Sequence, residues 1–239
     1  MKKIAVDADK FYIDKLENYY YQKNNSITRY DKNFKQIATY DNKSFGDIAC
    51  VDVSNPFKIL VFYNEINRLV YLDNYFAELR TPIRLDDLGF FTSNAVCSSS
   101  QGGFWIYDNQ AAQVVLVDAD LLKTQQGVNL FSVVKSSSVK SMLESNSFLF
   151  LLFESEQLVI LDKFGNFYKN FDNLNIKYFD VLNDIAYLVC DKNLEIYNVE
   201  TGEFFTYLLP DIDIEGFQVS LENMIFLSNK NIIYFKLNN

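Results

Sequence analysis

The sequence repeats one short pattern from end to end: a few apolar residues, an acid or amide, a brief turn, then another apolar segment. Six copies can be aligned: Ile27-Thr28-Arg29-Tyr30-Asp31, Val70-Tyr71-Leu72-Asp73, Val115-Leu116-Val117-Asp118, Val159-Ile160-Leu161-Asp162, Glu195-Ile196-Tyr197-Asn198 and the decayed Ile233-Tyr234-Phe235-Lys236. Their last residues are 42, 45, 44, 36 and 38 positions apart. A self-similar period of about forty residues is typical of repeat architectures built from stacked supersecondary units.

Each repeat can be divided into four strands, A to D. In the fifth repeat, which is the clearest, the predicted strands are Ile176 to Leu182, Ile185 to Cys190, Leu194 to Tyr197 and Glu203 to Leu209. Asn and Asp tolerate the left-handed backbone of tight turns, so Asp191-Lys192-Asn193 predicts a hairpin between strands B and C. The same hairpin is predicted at Gln22-Lys23-Asn24-Asn25 and at Ser228-Asn229-Lys230-Asn231.

Six A strands are predicted, beginning near Phe11, Asp47, Thr92, Ser138, Ile176 and Ile214. The sequence ends soon after the sixth strand C, and Lys3 to Val6 can supply the missing fourth strand. The prediction is an all-β protein: a β-propeller of six four-stranded blades, closed by the N-terminal strand, in a single domain over residues 1–239. Five or seven blades stay open as alternatives.

Two continuous apolar runs, at residues 58–63 and 148–153, are predicted B strands. Strands that are packed on both faces lose the alternation of polar and apolar residues, which explains these runs. Trp105, the single tryptophan, follows Gly102-Gly103 and opens the B strand of the third repeat. Its ring is therefore expected to pack between blades, with a partner for the indole N–H.

Two features resemble known propeller families. The segment from Ser100 to Asp108 is similar to the Gly-x-x-Trp start of strand B in several bacterial propeller superfamilies, and the pattern at Asp31, Asp73 and Asp162 resembles NHL and WD-type repeats. The Gly-His and Trp-Asp dipeptides of WD-type repeats are missing. The overall texture resembles envelope propellers of gliding, AT-rich bacteria. That resemblance implies the periplasm or cell envelope if a leader was removed, and otherwise the cytoplasm.

Composition excludes several kinds of chemistry. With no histidine, the chain cannot form His-based nucleophilic sites or His-ligated metal centres. Cys50, Cys97 and Cys190 lie in three repeats and are expected to be small buried hydrophobes, with a Cys50–Cys97 disulfide as the alternative.

A formal charge of −9 disfavours nucleic acid and anionic membranes, and no segment approaches the length needed to cross a bilayer. No cofactor and no metal are expected.

Carboxylates are the remaining candidates for chemistry. Asp52 and Asp180 are candidate rim or channel acids, although solvated or turn-capping acids are the simpler interpretation. Asn94 could join Asp52 in a calcium site of the kind that propeller lactonases hold. Asp211 to Gly216 with Glu222 nearly matches a calcium-loop template, but its apolar spacing favours a strand. Two serine runs, Ser98-Ser99-Ser100 and Ser136-Ser137-Ser138, suit a narrow, wet channel.

These observations favour a non-catalytic protein-interaction or scaffold module whose partner is a protein. One concrete form is an accessory or occluding subunit of an outer-membrane or secretion complex. A sugar or small-ligand binder is an alternative, which an aromatic-lined pocket near Trp105 would favour. A carboxylate-based hydrolase or lyase is another, which two facing acids, one with a raised pKa, would favour.

Overall fold

A computed structural model describes residues 2–237. Within these residues the chain forms 24 β-strands and one short 3₁₀ helix, Asp86–Leu88. The strands assemble into six antiparallel sheets of four strands each. The protein is thus an all-β, six-bladed β-propeller with almost no helix, which confirms the fold class predicted from the repeat.

The strands follow the predicted order, A to D in each blade. Strand β1 is Lys2–Ala5. Blade 1 contains β2 (Lys10–Ile13), β3 (Tyr19–Lys23), β4 (Ser26–Tyr30) and β5 (Gln36–Asp41). Blade 2 contains β6 (Cys50–Asp52), β7 (Ile59–Tyr63), β8 (Arg68–Leu72) and β9 (Ile83–Arg84). Blade 3 contains β10 (Val96–Ser98), β11 (Phe104–Asp108), β12 (Gln113–Val117) and β13 (Lys123–Gln126).

The second half of the chain continues in the same way. Blade 4 contains β14 (Val139–Ser145), β15 (Phe148–Phe153), β16 (Leu158–Asp162) and β17 (Phe167–Phe171). Blade 5 contains β18 (Tyr178–Leu182), β19 (Ile185–Val189), β20 (Asn193–Asn198) and β21 (Phe204–Leu208). Blade 6 contains β22 (Gly216–Val219), β23 (Asn223–Ser228) and β24 (Asn231–Lys236), with β1 as its fourth strand.

The chain divides into two compact units, which are described separately. The central unit is Phe45–Asp73 with Ala77–Asn175, and it holds blades 2, 3 and 4. The terminal unit holds blades 1, 5 and 6 together with Asn74–Phe76. The assignment of residues 1–239 to one domain stays a prediction.

In the terminal unit, the N-terminal strand completes the last blade. β1 pairs antiparallel with β24, with Ile4 opposite Ile232, and the Val6 N–H extends the ladder to the Lys230 carbonyl at 2.9 Å. Ile4 and Val6 pack against a buried cluster that includes Phe11. The predicted closing strand is therefore confirmed, with its start at residue 2 rather than 3.

In the central unit, the two continuous apolar runs are B strands, as predicted. Every residue of β7 is buried, and so are Leu149 to Phe153 of β15. A sheet covered on both faces has no solvated side, so each residue of its inner strands can be apolar. The buried clusters of this unit join residues of adjacent blades, which explains the loss of polar alternation.

The acid that ends each sequence repeat has a structural role at the turn between strands C and D. Asp162 Oδ1 accepts the N–H groups of Phe164 at 2.8 Å and Asn166 at 2.9 Å, and Gly165 has a left-handed backbone with φ of 77°. Burial acts to raise the pKa of Asp162, but the hydrogen bond from the Asn166 side-chain amide, at 3.0 Å, together with these two backbone bonds holds it below its ordinary value. Equivalent turns are capped by Asp31, Asp73, Asp118 and Asn198.

Two details of the prediction were wrong. All six A strands begin one to four residues from the predicted position; the fifth, for example, begins at Tyr178 rather than Ile176, because the preceding residues form the connection. The three similar hairpins also differ in backbone. Asn229 and Lys230 both have positive φ, at 48° and 57°, as a type I′ turn requires, whereas only Asn24 does so in blade 1. In blade 5, none of the three residues between β19 and β20 has positive φ.

Candidate functional site

The predicted channel acids join neighbouring A strands. Each A strand is the last strand of its sheet on one side, so its outward N–H groups need acceptors from elsewhere. Asp52 Oδ2 accepts the Ser98 N–H at 2.6 Å, and Asp180 Oδ2 accepts the Val219 N–H at 2.8 Å. In both cases the acid is the third residue of its A strand and reaches the A strand of the next blade.

The same position carries an amide in blade 6. Gln218 is the third residue of β22, and its Oε1 accepts the Ile13 N–H of β2 at 3.3 Å. Three blades therefore use one register position to satisfy a backbone donor of the next blade. The acid or amide at this position provides an acceptor for a backbone N–H of the next blade. This structural role accounts for the residue without any catalytic chemistry.

Asp180 has an unusual proton affinity. Burial raises its pKa to about 7, although the N–H groups of Val219 and Val181 act to lower it. A carboxyl that titrates near neutrality suits general acid–base chemistry. Both oxygens of Asp180 already accept backbone N–H groups, however, at 2.8 Å from Val219 and 2.9 Å from Val181. The raised pKa of Asp180 is therefore that of a buried carboxyl group whose two oxygens accept backbone N–H groups.

The structure does not bring Asp52 and Asn94 together as calcium ligands. The second oxygen of Asp52 accepts the Ser54 N–H at 2.8 Å, while the Asn94 amide donates to Ser138 Oγ at 2.8 Å. Nowhere in residues 2–237 do three Cys, Asp or Glu side chains form a group that could hold a metal ion. Each proposed ligand is instead engaged by a neighbouring strand or loop.

The segment that resembles a calcium loop is the start of blade 6. Gly216–Val219 forms β22, and the residues from Asp211 to Glu215 form the connection that leads to it. The Glu215 N–H donates to the Leu227 carbonyl at 2.8 Å, which extends the pairing of β22 with β23. The strand interpretation therefore holds for Gly216–Val219, whereas residues 211–215 form a connection and not a strand.

The serine runs make local hydrogen bonds. The Ser98 N–H is held by Asp52, and the N–H and hydroxyl of Ser100 both donate to Glu144 Oε1, the former at 2.9 Å. Ser136 Oγ accepts the Ser138 N–H at 3.2 Å. The two serine runs therefore form hydrogen bonds at the ends of strands β10 and β14.

Trp105 lies in the core, between blades 3 and 4. Its side chain has no exposed surface, and its indole N–H donates to Glu144 Oε2 at 2.6 Å. Gly103, two residues earlier, has φ of 76°, and a Cβ there would lie 2.0 Å from the Val117 carbonyl oxygen. Because the two strands pass so close to each other, position 103 requires glycine. Trp105 lies in the interior, as predicted.

The cysteines are buried or half-buried thiols. Cys97 is fully buried, and burial raises its pKa well above the ordinary value, so it is protonated near neutral pH. Cys50 donates weakly to the Val96 carbonyl, with 3.6 Å between sulfur and oxygen. All three cysteines fall within the described residues, and none of them forms a disulfide. The alternative Cys50–Cys97 bond is therefore wrong.

A polar cavity of about 300 Å³ opens at the start of the A strands in the central unit. Its lining mixes acids, a lysine and small polar groups: Asp47, Ile48, Ala49, Asn64, Asn94, Ser138, Val139, Lys140 and Glu154. No aromatic residue lines it, so the aromatic pocket near Trp105 that would favour sugar binding is not found here. Sequence reasoning selected only Asn94 and Ser138 as candidates, because the lining comes from segments that lie far apart in the chain.

The second feature that sequence reasoning missed is the outer strand of blade 5. We call Phe204–Leu208, which is β21, the β21 edge. All five residues are exposed, and the exposed fractions are 42% for Phe204, 50% for Phe205, 53% for Tyr207 and 86% for Leu208. The available signal was a strand with four large apolar residues and no charge. Such a solvent-facing strand is unusual and commonly marks an interaction site.

In the described part of the chain, no helix is long and apolar enough to span a membrane.

Comparison with known proteins shows the fold. No family model matches the chain, and no curated protein matches it in sequence. Among solved structures, the Pan2 WD40 domain of Neurospora crassa has a TM-score of 0.66 at 11% identity, covering 97% of this chain and 92% of that one. A virginiamycin B lyase from Staphylococcus aureus has a TM-score of 0.64 at 9% identity, covering 99% of both chains. BamB from Moraxella catarrhalis has a TM-score of 0.57 at 13% identity, covering 99% of this chain and 72% of that one.

Proposed function

We propose that this protein is a non-catalytic binding module whose partner is another protein. The observation that carries the proposal is the β21 edge, where large apolar side chains face solvent on a regular strand. Contiguous exposed apolar surface on an otherwise well-packed protein typically marks an interface. The acids that could have supported chemistry, Asp52, Asp180 and Glu144, accept hydrogen bonds from backbone or core donors instead.

We further propose that the partner belongs to a cell-envelope assembly, in which this chain is an accessory or occluding subunit of an outer-membrane or secretion complex. The support is the resemblance of the overall texture of its sequence to envelope propellers. The likeness to BamB from Moraxella catarrhalis agrees with it, but at 13% identity that likeness shows the fold alone.

The experiment is to tag the chain in its native host, fractionate the cells, and measure the native size of the tagged species in each fraction. Chemical cross-linking before lysis and quantitative mass spectrometry then identify stoichiometric partners. We expect the chain to migrate in a larger complex from the envelope fraction. A chain that migrates alone in every fraction, with no protein cross-linked in stoichiometric amount, would contradict the binding function. A stoichiometric partner in the soluble fraction would contradict only the envelope assignment.

The polar cavity supports a second candidate, a binder of small polar ligands such as sugars. Its volume of about 300 Å³ is at the lower end of the range for ligand sites. Asn94 and Glu154 can present an amide and a carboxylate to hydroxyl groups. A panel of sugars should then raise the melting temperature of the intact protein but not that of Glu154→Ala. If no sugar shifts the melt of the intact protein, this candidate is wrong.

A further inference from the structure

The backbone of the β21 edge offers hydrogen-bonding groups to solvent. Leu209 N–H donates to the Lys192 carbonyl at 2.9 Å, and Asn198 N–H donates to the Glu203 carbonyl at 2.9 Å. In an antiparallel pair, hydrogen-bonded positions alternate with positions whose groups face the other way. The register of β20 and β21 is regular between these two bonds. The N–H and C=O groups of residues 206 and 208 therefore point away from the blade.

Other outer strands are protected against pairing in ways that β21 is not. Natural edges are blunted by short strands, bulges, prolines or charges. The pairings of β5, β13 and β17 with their neighbours each contain a register shift, β9 is two residues long, and β1 carries Lys3. Among the six outer strands, all of them described, β21 alone combines five residues, a regular register and no charged side chain.

The surroundings of the β21 edge are acidic. Glu200 and Glu203 precede the strand, Asp211 follows it, and all three side chains are exposed. Between Lys192 and Lys230 the chain contains seven Asp or Glu residues and no Lys or Arg. The exposed Lys192 lies at one end of the edge and is the nearest cation in the sequence. Acidic side chains therefore outnumber the one nearby cation, Lys192, and an occupant of this apolar strand meets net negative charge.

We propose that the β21 edge binds an extended segment of a partner protein as a fifth strand of blade 5. The segment carries apolar residues at its centre and Lys or Arg residues at its ends, because these match the apolar strand and its acidic flanks. Main-chain hydrogen bonds to residues 206 and 208 supply the pairing, and the exposed rings of Phe205 and Tyr207 contact alternate side chains on one face. This inference rests on the proposed binding function and specifies its surface and its partner.

A second copy of the chain is a poor occupant. Antiparallel pairing of two β21 edges would bring Glu203 of one copy near Leu208 and Asp211 of the other. Like charges at both ends of the pair oppose association. Self-association through this edge is therefore an outcome that would overturn the assignment of the occupant.

The test uses a defined probe: a fluorescent nine-residue peptide of alternating valine and threonine with two lysines at each end. A matched peptide carries glutamates in place of the lysines, and a third has alternate backbone nitrogens methylated. Fluorescence anisotropy with the full chain should show saturable binding of the lysine peptide. We expect both control peptides to bind at least about tenfold more weakly, with the charge effect shrinking as salt rises.

Variants of the protein locate the site. Leu208→Pro removes an N–H that points away from β20, so it blocks pairing while keeping the inner ladder, and it should weaken binding by about tenfold or more. Leu208→Ser keeps that N–H and should lose less affinity. Tyr207→Lys should also weaken binding of the lysine peptide, and it is a second test that does not depend on proline. Phe57→Lys is the control, because Phe57 is an exposed loop residue, at 61%, far along the chain from the edge. Circular dichroism and melts must show that each variant is folded.

Hydrogen exchange separates pairing from side-chain contact alone. The amides of residues 206 and 208 should gain protection when the lysine peptide binds. The proposal is overturned if the peptide does not bind up to about 1 mM, if Leu208→Pro binds it as tightly as the native chain, or if protection appears elsewhere. It is also overturned if the chain dimerises through β21. Retention of the native complex by Leu208→Pro would overturn this site while leaving the binding function intact.

Discussion

Replacing Trp105 with alanine is the sharpest test of how blades 3 and 4 are held together. The side chain is fully buried in a cluster with Cys97, Leu116 and Leu151, so its removal leaves a large cavity. Truncation of a buried Trp costs about 3 to 5 kcal/mol of the free energy of unfolding. For a chain of this length that corresponds to a fall in melting temperature of roughly 6 to 20 °C.

A double-mutant cycle separates packing from the hydrogen bond to Glu144. Trp105→Phe keeps most of the ring but removes the N–H that lies 2.6 Å from Glu144 Oε2. Glu144→Gln removes the charge and keeps the size of the acceptor. A hydrogen bond to a charged group contributes about 1.5 to 3 kcal/mol, so the two substitutions should show a coupling free energy of at least about 1 kcal/mol.

The assay is urea unfolding followed by far-UV circular dichroism, because Trp105 is the only tryptophan and its removal abolishes that fluorescence. Phe57→Ala is the control, since Phe57 is exposed and should change stability by no more than about 0.5 kcal/mol. A Trp105→Ala protein that unfolds like the native chain but loses its partner would refute this reasoning. The functional surface would then lie on blade 3 rather than at the β21 edge.

Two further predictions concern blades 5 and 6. Deleting residues 1–6 removes the half-buried Ile4 and Val6 and uncovers β24, so stability should fall by about 2 kcal/mol and the protein should associate; an unchanged melt and a monomer in size-exclusion chromatography would contradict closure by β1. Because burial raises the pKa of Asp180 to about 7, the folded state holds a proton between about pH 4 and pH 7 that the unfolded state has lost. Stability relative to Asp180→Asn should therefore fall as pH rises through this window, by at most about 1.4 kcal/mol per unit, and a difference that stays flat from pH 5 to 8 in urea melts would contradict the raised pKa.

Much of the fold could be predicted because its repeat is local. The acid at the end of strand C caps a turn within four residues, as Asp31 and Asp118 do, so the same few residues recur wherever that turn recurs. The B strands β7 and β15 are buried on both faces, which makes their sequence almost purely apolar. Both signals can be recognised in short stretches of sequence, so neither requires knowledge of tertiary contacts.

The candidate sites could not be predicted in the same way. The polar cavity combines Asp47, Asn94 and Glu154, which come from three blades and have no common spacing. Asp180 could be identified as an unusual acid, but its partner Val219 lies 39 residues away. At the β21 edge, the predicted strand from Glu203 to Leu209 was nearly right, yet strand pattern alone does not show which outer strands lack bulges and face solvent.

The acidity of the chain and the exposure of the β21 edge are parts of one physical arrangement. An apolar strand with open backbone groups would be a site of aggregation if nothing opposed the pairing of two copies. The negative charge around Phe204–Leu208 opposes that pairing, because any second copy brings the same charge. The same charge favours a segment with basic ends over neutral or acidic competitors. On the proposal that this edge receives a partner segment, the acidic charge opposes self-pairing of β21, which lacks the bulges, short length or lysine of the other outer strands.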